Sequence, residues 1–249
     1  QTTMDSGSGG ANDNLLYGND FSFSPANGIE ATFSRNTFID NRLEGCDYGI
    51  WGGYSYGSTI VGNHFVRNRV GIAIEHGQDN LILSNRFDGD TTAVNLWAVP
   101  IEPSGWGYPK HRDTQSRDYR LENNLFKGNR CGVKATNTAG LLLANNRWLN
   151  VDTMTIFRDT SGARSDGNII LQPGHGFQPS VPPGYAKLAP RPRNGGIPHS
   201  PAARMDRSAI IVDEWGPFDY QSPKLWPLDS SHGIPLRLRT VGPAGTWRV

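Results

Sequence analysis

The sequence of residues 63–98 is NHFVRNRVGIAIEHGQDNLILSNRFDGDTTAVNLWA, and it contains one pattern twice. Each copy begins with Asn, one further residue and Phe, continues through a polar turn, and reaches a small residue followed by an aliphatic one. The copies start at Asn63 and Asn85, so the period is 22 residues. A fixed period of this length predicts a solenoid, because each unit can bury its apolar side only by stacking on the next.

The same pattern recurs on both sides of this stretch. Its anchor asparagines are Asn19, Asn36, Asn63, Asn85, Asn124 and Asn146, and Asn168 opens an incomplete last turn. The gaps between them are 17, 27, 22, 39, 22 and 22 residues, which predicts two insertions, at about residues 45–58 and 98–118. The alternating runs within each unit are too short for helices, so we expect three short strands per turn with Gly and Asn at the bends.

This combination of short strands, Gly and Asn bends and a 22-residue period resembles the right-handed parallel β-helix of the pectate-lyase type. The spacing also resembles the repeats of bacterial surface and secreted proteins. The resemblance covers residues 12–172 and implies an all-β fold class. It also implies an extracellular, periplasmic or cell-surface location.

The remaining segments differ in composition from the repeats. Residues 1–11 are rich in Gly and Ser and are predicted to be a flexible lead-in. Residues 173–207 contain eight prolines and are predicted to be a linker or an extended strap. Residues 208–249 are expected to begin a small β-sandwich-like module, with strands at 209–212 and 236–239. We expect a monomer that is part of a longer multidomain chain.

Charge and apolar content exclude some classes of partner. The formal net charge is +1, so no general attraction to nucleic acid or to an anionic membrane is expected, and local patches must carry any preference. No apolar run approaches the roughly 18 residues of a membrane span, which argues against membrane insertion. Cys46 and Cys131 lie about three turns apart, roughly 14 Å, so two free thiols are expected.

Stacking the turns on their Gly-Ile positions predicts one solvent face with two columns of outward side chains. The first column consists of Glu30, Trp51, Ala73, Asn95 and Lys134, and the second of Thr32, Gly53, Glu75, Trp97 and Thr136. His76 follows Glu75 at the bend, and both predicted insertions border the face. The second insertion adds Trp106, Tyr108, Lys110, His111 and Arg112.

Such a face suits a polysaccharide, because indoles cover sugar rings and amide or amine groups bond hydroxyls and carboxylates. Trp51, Trp97, Asn95 and the residues of the second insertion are the candidate binding groups. Glu75 and His76 are the candidate catalytic groups, with Glu30 or Lys134 as partner. Glu30 and Glu75 are expected about 10 Å apart, near the upper end of the separation of about 6.5–9.5 Å in inverting glycosidases.

The chemistry itself stays open at this stage. A lyase or glycoside hydrolase would use these groups for acid and base catalysis, whereas the alternative is a structural or glycan-binding surface module without activity. Acidic turns at Asp40, Asp47, Asp88 and Asp90 could hold Ca²⁺, although turn formation alone explains them. Zinc-type Cys/His spacing is absent, and the three methionines argue against the copper handling associated with some periplasmic β-helix proteins.

Overall fold

The computed structural model describes residues 10–102, 107–174 and 176–189, and four strands beyond them. The chain forms two compact units, residues 1–191 and 192–249. In the second unit, Ile211–Asp213 pairs antiparallel with Gly216–Phe218, and Lys224–Pro227 pairs antiparallel with Leu238–Val241. Of the predicted flexible lead-in, residues 1–11, the first nine lie outside the described residues.

The first unit is a parallel β-helix of about seven turns, in which every strand pairs with strands one turn away. Three parallel sheets run along it. Sheet A contains Leu15–Tyr17, Thr37–Ile39, Thr59–Val61, Leu81–Leu83, Arg120–Glu122, Leu142–Ala144 and Arg164–Asp166. Sheet B contains Arg42–Glu44, His64–Val66, Arg86–Asp88, Leu125–Lys127, Arg147–Leu149 and Ile169–Ile170. Sheet C contains Asn27–Glu30, Tyr48–Trp51, Val70–Glu75, Thr92–Trp97, Cys131–Thr136 and Thr153–Arg158. The all-β solenoid expected from the sequence is confirmed.

A ladder of asparagines joins the turns at the corner between sheets A and B. Its members are Asn19, Asn41, Asn63, Asn85, Asn124, Asn146 and Asn168. From Asn41 onward, the Oδ1 of each accepts the backbone N–H and the side-chain amide of the asparagine one turn earlier, at 2.8–3.1 Å. Because most of these groups are buried, the ladder satisfies donors that would otherwise be costly.

The ladder corrects one prediction. Asn41, not Asn36, is the anchor of its turn, and it lies 22 residues from both Asn19 and Asn63. Asn36 belongs to a second ladder, in which it bonds Asn14 and Ser58. The expected insertion at 45–58 is therefore wrong, and this stretch contains the regular strand Tyr48–Trp51. In the described part of the solenoid the repeat is interrupted between Asn85 and Asn124, which are 39 residues apart.

The core is built on a column of stacked aromatic rings. Phe65, Phe87, Phe126 and Trp148 follow one another in sheet B, with ring centroids 4.8, 5.0 and 4.3 Å apart. This column explains why the repeat has a small residue before its inward aliphatic one, since a larger side chain there would meet the rings. A Cβ at Gly49 would lie 2.5 Å from the carbonyl oxygen of Gly71 and 2.8 Å from the Phe65 ring.

Corners of the solenoid place residues in the left-handed region. At the corner between sheets B and C, consecutive turns have Gly45, Arg67, Gly89 and Gly128 with φ of 65°, 50°, 72° and 65°. After sheet C, the equivalent residues include Phe33, Tyr54 and His76, with φ of 52°, 58° and 55°. Glycine adopts this conformation without steric cost, whereas other residues pay roughly 1–2 kcal/mol.

Residues 176–189 lie against sheet B and belong to the same compact unit as the solenoid. Arg147 places its guanidinium 5.3 Å from the Phe177 ring centroid, and Arg86 Nη1 donates to Gln178 Oε1 at 2.7 Å. A short helix, Pro183–Ala186, follows. The first part of the predicted linker or strap, 173–207, is therefore in contact with the solenoid, and residues 190–207 lie outside the described residues.

Both cysteines are buried and free, as expected from their separation. Across the residues described, we find no helix with the length and apolar character needed to cross a bilayer.

Candidate functional site

The outer face of sheet C brings the predicted columns into register. Glu30, Trp51, Ala73, Asn95 and Lys134 pair in consecutive strands, as do Glu75, Trp97 and Thr136. This alignment follows from the fixed period, because parallel pairing places equivalent residues of successive turns about 4.8 Å apart. Side chains from five turns therefore share one surface.

Three aromatic rings form a stripe across this face, and we call Tyr48, Trp51 and Trp97 the aromatic stripe. Trp51 lies edge-to-face with Trp97 at 5.6 Å and with Tyr48 at 5.0 Å. All three are partly exposed, whereas Ala73, which points outward between the two indoles, is fully buried. The Ala73 side chain thus lies in the strand between those of the two indoles, which keep part of their own surface in solvent.

Glu75 holds the orientation of the stripe. Its Oε1 accepts a 2.9 Å hydrogen bond from Nε1 of Trp97, its partner in the next strand. This bond satisfies the polar edge of the indole and leaves the second carboxylate oxygen for another donor. Asn95 lies one turn away, and its Oδ1 is buried without a hydrogen-bond partner among the described residues.

The structure does not bring the four candidate catalytic residues together. Ala73 lies two strands from Glu30, and Glu75 lies two residues after Ala73 in the same strand. The backbones of Glu30 and Glu75 are therefore about 12 Å apart. Lys134 lies two strands beyond Ala73 on the opposite side, about 19 Å from Glu30. Glu30 accepts a bond from Asn27 within its own strand at 2.9 Å.

His76 is buried, and both of its ring nitrogens contact backbone of the second insertion. Nδ1 lies 2.6 Å from the carbonyl oxygen of Thr114, and Nε2 accepts the N–H of Val99 at 3.2 Å. Since Nε2 accepts, Nδ1 carries the proton and donates to Thr114. The ring also stacks on Tyr54 at 4.8 Å. This geometry makes His76 an anchor of both ends of the insertion.

The second insertion contacts the solenoid through partly buried hydrogen bonds. Tyr54 donates to Glu102 Oε1 at 2.9 Å, and Thr114 donates to Glu102 Oε2 at 2.5 Å. Burial, followed by the bond to Glu102, raises the pKa of Tyr54 above its ordinary value. Instead of an entirely irregular loop, residues Tyr108–His111 form one helical turn with Pro in the first turn.

The predicted binding residues of the insertion have different environments. Tyr108 is buried edge-on against Phe33 and Tyr54, and burial raises its pKa. Lys110 and His111 are exposed. Arg112 lies 5.2 Å from the ring centroid of Tyr56. Trp106 lies outside the described residues.

A polar cavity of about 220 Å³ lies between this insertion and the bend after sheet C. It is lined by Tyr54, Ser55, Tyr56, His76, Gln78, Asp79, Tyr108, Arg112 and Asp113. Backbone N–H donation from Gln115 lowers the pKa of Asp113, and Gln78 donates to the carbonyl oxygens of Asp113 and Gln115. The volume is below the roughly 300–1,000 Å³ of sites for drug-sized ligands, so this cavity suits one small polar group.

These features define a parallel β-helix protein with a partly exposed aromatic stripe on one sheet. Residues 5–100 match the model of a family described as periplasmic copper-binding protein (NosD), and this part of the chain is similar to that family. No curated protein and no solved structure matches the chain.

The described residues do not form a recognisable copper site. No group of three or more His, Cys, Asp or Glu side chains is close enough to hold a metal ion in the described ranges. Cys46 is buried, and burial raises the pKa of its thiol, which disfavours the thiolate that binds metals. The acidic turns proposed for Ca²⁺ are also not clustered, since Asp47 pairs with Arg69 and Asp88 with Arg86 and His64.

Sequence reasoning missed several residues of this region. The sequence pattern places Tyr48 in an insertion, whereas it begins the strand Tyr48–Trp51 and its ring packs edge-on against that of Trp51. Tyr54, Gln78 and Asp79 line the cavity only because the second insertion folds back over them. The sequence signal that could have identified Tyr48 is the unbroken 22-residue spacing of Asn19, Asn41 and Asn63.

Proposed function

We propose that this chain is a periplasmic or cell-surface β-helix protein that binds a polysaccharide on the outer face of sheet C. The observation that carries the proposal is the aromatic stripe, in which Glu75 fixes the indole of Trp97 beside that of Trp51. Adjoining apolar side chains on a solvent face often mark an interaction site, so two partly exposed indoles in contact across two turns support a ligand surface. The location is supported by the similarity of residues 5–100 to a periplasmic family.

The inclined rings suit a sugar chain. The planes of Trp51 and Trp97 are inclined at 61°, so a pyranose ring stacked on one indole meets the edge of the other. Asn95 and Lys134, in the next turns of the same column, can bond hydroxyl or carboxylate groups of further sugar units. The solenoid supplies a straight row of such contacts, which matches a linear polymer.

The geometry supports binding more strongly than cleavage. A pair of acids would have to flank one glycosidic bond at about 5–9.5 Å. The backbones of Glu30 and Glu75 are about 12 Å apart, and their carboxylates bond Asn27 and Trp97 respectively, while both nitrogens of His76 are engaged by the insertion. Glu75 is therefore the one candidate for chemistry on the stripe, and in our proposal it orients Trp97.

The proposal is tested by binding to a panel of neutral and acidic polysaccharides, measured by affinity electrophoresis and calorimetry. Trp97→Ala and Trp51→Ala should each weaken binding about fivefold or more, since stacking of a flat ring on an aromatic side chain contributes about 1–3 kcal/mol in single-strand nucleic-acid sites. Phe157→Ala is the control for loss of an aromatic ring away from the stripe, because Phe157 is exposed in the last strand of the same sheet but pairs in register with the inward Ala135. Retained affinity in both tryptophan variants would refute the proposal.

Catalysis is assayed in parallel on the same panel. Reducing ends and the absorbance of unsaturated products report hydrolase and lyase activity respectively. We expect neither product, and Glu75→Gln should leave binding close to native, because the amide oxygen can still accept the indole N–H of Trp97. Product formed by the native protein and lost in Glu75→Gln would instead establish an enzyme.

A further inference from the structure

A cluster of charged side chains occupies a different face of the solenoid, on the outside of sheet B. Arg42, His64 and Arg86 are register partners in three consecutive turns. Two residues further along the same strands, Glu44 and Asp88 flank the apolar Val66. The fixed period thus assembles five ionisable groups within two strand spacings, about 10 Å.

Arginines surround each carboxylate of the cluster. Arg42 and Arg67 both donate to Glu44, which is only 7% exposed. Arg86 donates to Asp88, and His64 Nε2 lies 2.7 Å from the same carboxylate. Burial opposes ionisation of Asp88, but the bonds from His64 and Arg86 hold its pKa below the ordinary value.

The tautomer of His64 follows from its neighbours. Arg42 Nη1 lies 3.2 Å from Nδ1 of His64, and a guanidinium can only donate. Nδ1 therefore accepts, and the proton sits on Nε2, which donates to Asp88. Protonation of the second nitrogen would add a positive charge to a cluster that already holds three arginines.

The face has a surplus of positive charge. Its described cations are Arg42, Arg67, Arg86, Lys127 and Arg147, and its described carboxylates are Asp20, Glu44 and Asp88. Five against three leaves two positive charges on one face, although the whole chain has a net charge of +1. Sequence composition alone conceals this patch.

The cations are also the more exposed members. The side chain of Arg67 is 69% exposed and that of His64 is 36% exposed, whereas Glu44 and Asp88 are 7% and 18% exposed. The carboxylates lie beneath the nitrogen groups. The side chains of Arg42 and Arg86 are only 21% and 24% exposed, so Arg67 presents most of the N–H donors that an incoming anion would meet.

We propose that Arg67, with Arg42 and Arg86 beside it, binds the carboxylate or sulfate groups of an acidic polysaccharide, while His64 holds Arg42 and Asp88 in place. The proposal names the class of glycan and rests on the proposed function. The two faces adjoin, because Arg69, two residues after Arg67, lies 4.3 Å from the ring centroid of Tyr48 in the aromatic stripe. A chain lying on the stripe can thus continue around this corner to the cluster.

Charge spacing favours an acidic glycan over a nucleic acid. Arg42, Arg86 and Arg147 occupy one outward column at every second turn, about 10 Å apart, and the last two also contact Gln178 and Phe177 of the chain's own segment. A nucleic acid strand in a duplex carries one phosphate about every 3.4 Å. A polymer with sparser anionic groups matches the column better.

The test compares salt elution from columns of polygalacturonate, dextran sulfate and neutral dextran. Arg67→Gly removes the most exposed guanidinium, and glycine is the residue at the equivalent corner in neighbouring turns, so the fold is spared. Arg120→Gln is the matched control, since Arg120 is 60% exposed and pairs with Glu122 on sheet A. Arg42→Gln combined with Arg67→Gly should weaken binding further, because it removes a second guanidinium of the cluster.

We expect native protein to be retained on one or both acidic columns at about 0.15 M salt. Arg67→Gly should elute at a clearly lower salt concentration, and Arg120→Gln should elute with the native protein. Retention on one acidic column identifies the sulfate or the carboxylate. No retention, equal loss in Arg120→Gln, or tighter retention on immobilised DNA would overturn the proposal. Trp97→Ala separates the two claims. If the proposed function is right, Trp97→Ala weakens binding to every glycan that the native protein binds. If the cluster is an anion site, Arg67→Gly weakens binding to the acidic glycans only.

Discussion

Replacing Asp90 by asparagine should stabilise this protein above about pH 6 and remove most of the pH dependence of its stability near neutrality. Asp90 lies in a ladder of buried amides, in which its Oδ1 accepts the backbone and side-chain N–H groups of Asn68 at 2.7 and 2.9 Å. Its Oδ2 is buried and has no hydrogen-bond partner in the described chain. The carboxyl group therefore occupies a site shaped for an amide.

The magnitude follows from the pKa. Burial raises the pKa of Asp90 from 3.8 to about 8. Between these values the folded state holds a proton that the unfolded state has lost, so the free energy of unfolding decreases as pH rises from about 4 to about 8. At about 1.4 kcal/mol per pH unit, the three units from pH 5 to pH 8 correspond to about 4 kcal/mol. Because asparagine does not titrate, the free energy of unfolding of the Asp90→Asn variant does not fall in this way.

The amide should also make bonds that the carboxyl group lacks. In the same ladder, Asn68 Nδ2 donates to the carbonyl oxygen of Leu43 at 3.0 Å. The equivalent acceptor for residue 90 is the carbonyl oxygen of Phe65. Asn129, in the next turn, has both side-chain polar atoms buried without partners among the residues described. An amide at position 90 can donate to the carbonyl oxygen of Phe65 or to Oδ1 of Asn129, and each such bond contributes about 1 kcal/mol.

Urea unfolding followed by circular dichroism at pH 5, 6.5 and 8 measures the effect. The difference in unfolding free energy between Asp90→Asn and native protein should grow by about 4 kcal/mol across this range. Asp152→Asn, an exposed aspartate, is the control and should parallel the native profile. Parallel profiles for native protein and Asp90→Asn would show that Asp90 is not held protonated in the folded state, and the reasoning would fail.

Three further predictions concern the core. Phe87→Ala should lower the free energy of unfolding by about 3–5 kcal/mol, measured by urea denaturation, because its ring is fully buried between two stacked rings; a loss below 1 kcal/mol would contradict the stacked core. Gly49→Ala should shift the melting temperature down by several degrees, since the new Cβ would approach the Gly71 carbonyl oxygen within 2.5 Å; an unchanged melting temperature would refute this close approach. Cys46 and Cys131 should react with a thiol reagent only on unfolding, because burial raises both pKa values; rapid labelling at pH 8 would show that they are accessible.

The sequence predicted the outward columns of sheet C because two simple regularities determine them. Strand alternation decides which side chains point outward, and a constant period places Trp51, Ala73 and Asn95 in one row. No long-range information is needed for either. The same regularities predicted that Cys46 and Cys131 are too far apart to pair.

The anchor of one turn was misassigned because two ladders have similar local sequences. Asn36 precedes Thr37 and Phe38, which imitates the Asn-x-Phe pattern, whereas the true anchor Asn41 is followed by Arg42 and Leu43. Leu43 pairs in register with Phe65, so an aliphatic side chain begins the aromatic column. The local pattern could not distinguish the two asparagines, but hydrogen bonding across turns does.

The sequence by itself determined the solenoid, its 22-residue turn and the face that presents Trp51, Trp97 and Glu75, since each depends on periodicity along the chain. Only the tertiary structure decided the environment of His76, because its ring partners, Val99 and Thr114, lie in an irregular insertion. It also decided that His64 lies among arginines, since that cluster forms across turns. Periodicity specifies position, whereas the charge and hydrogen bonds around a side chain depend on neighbours brought in by folding.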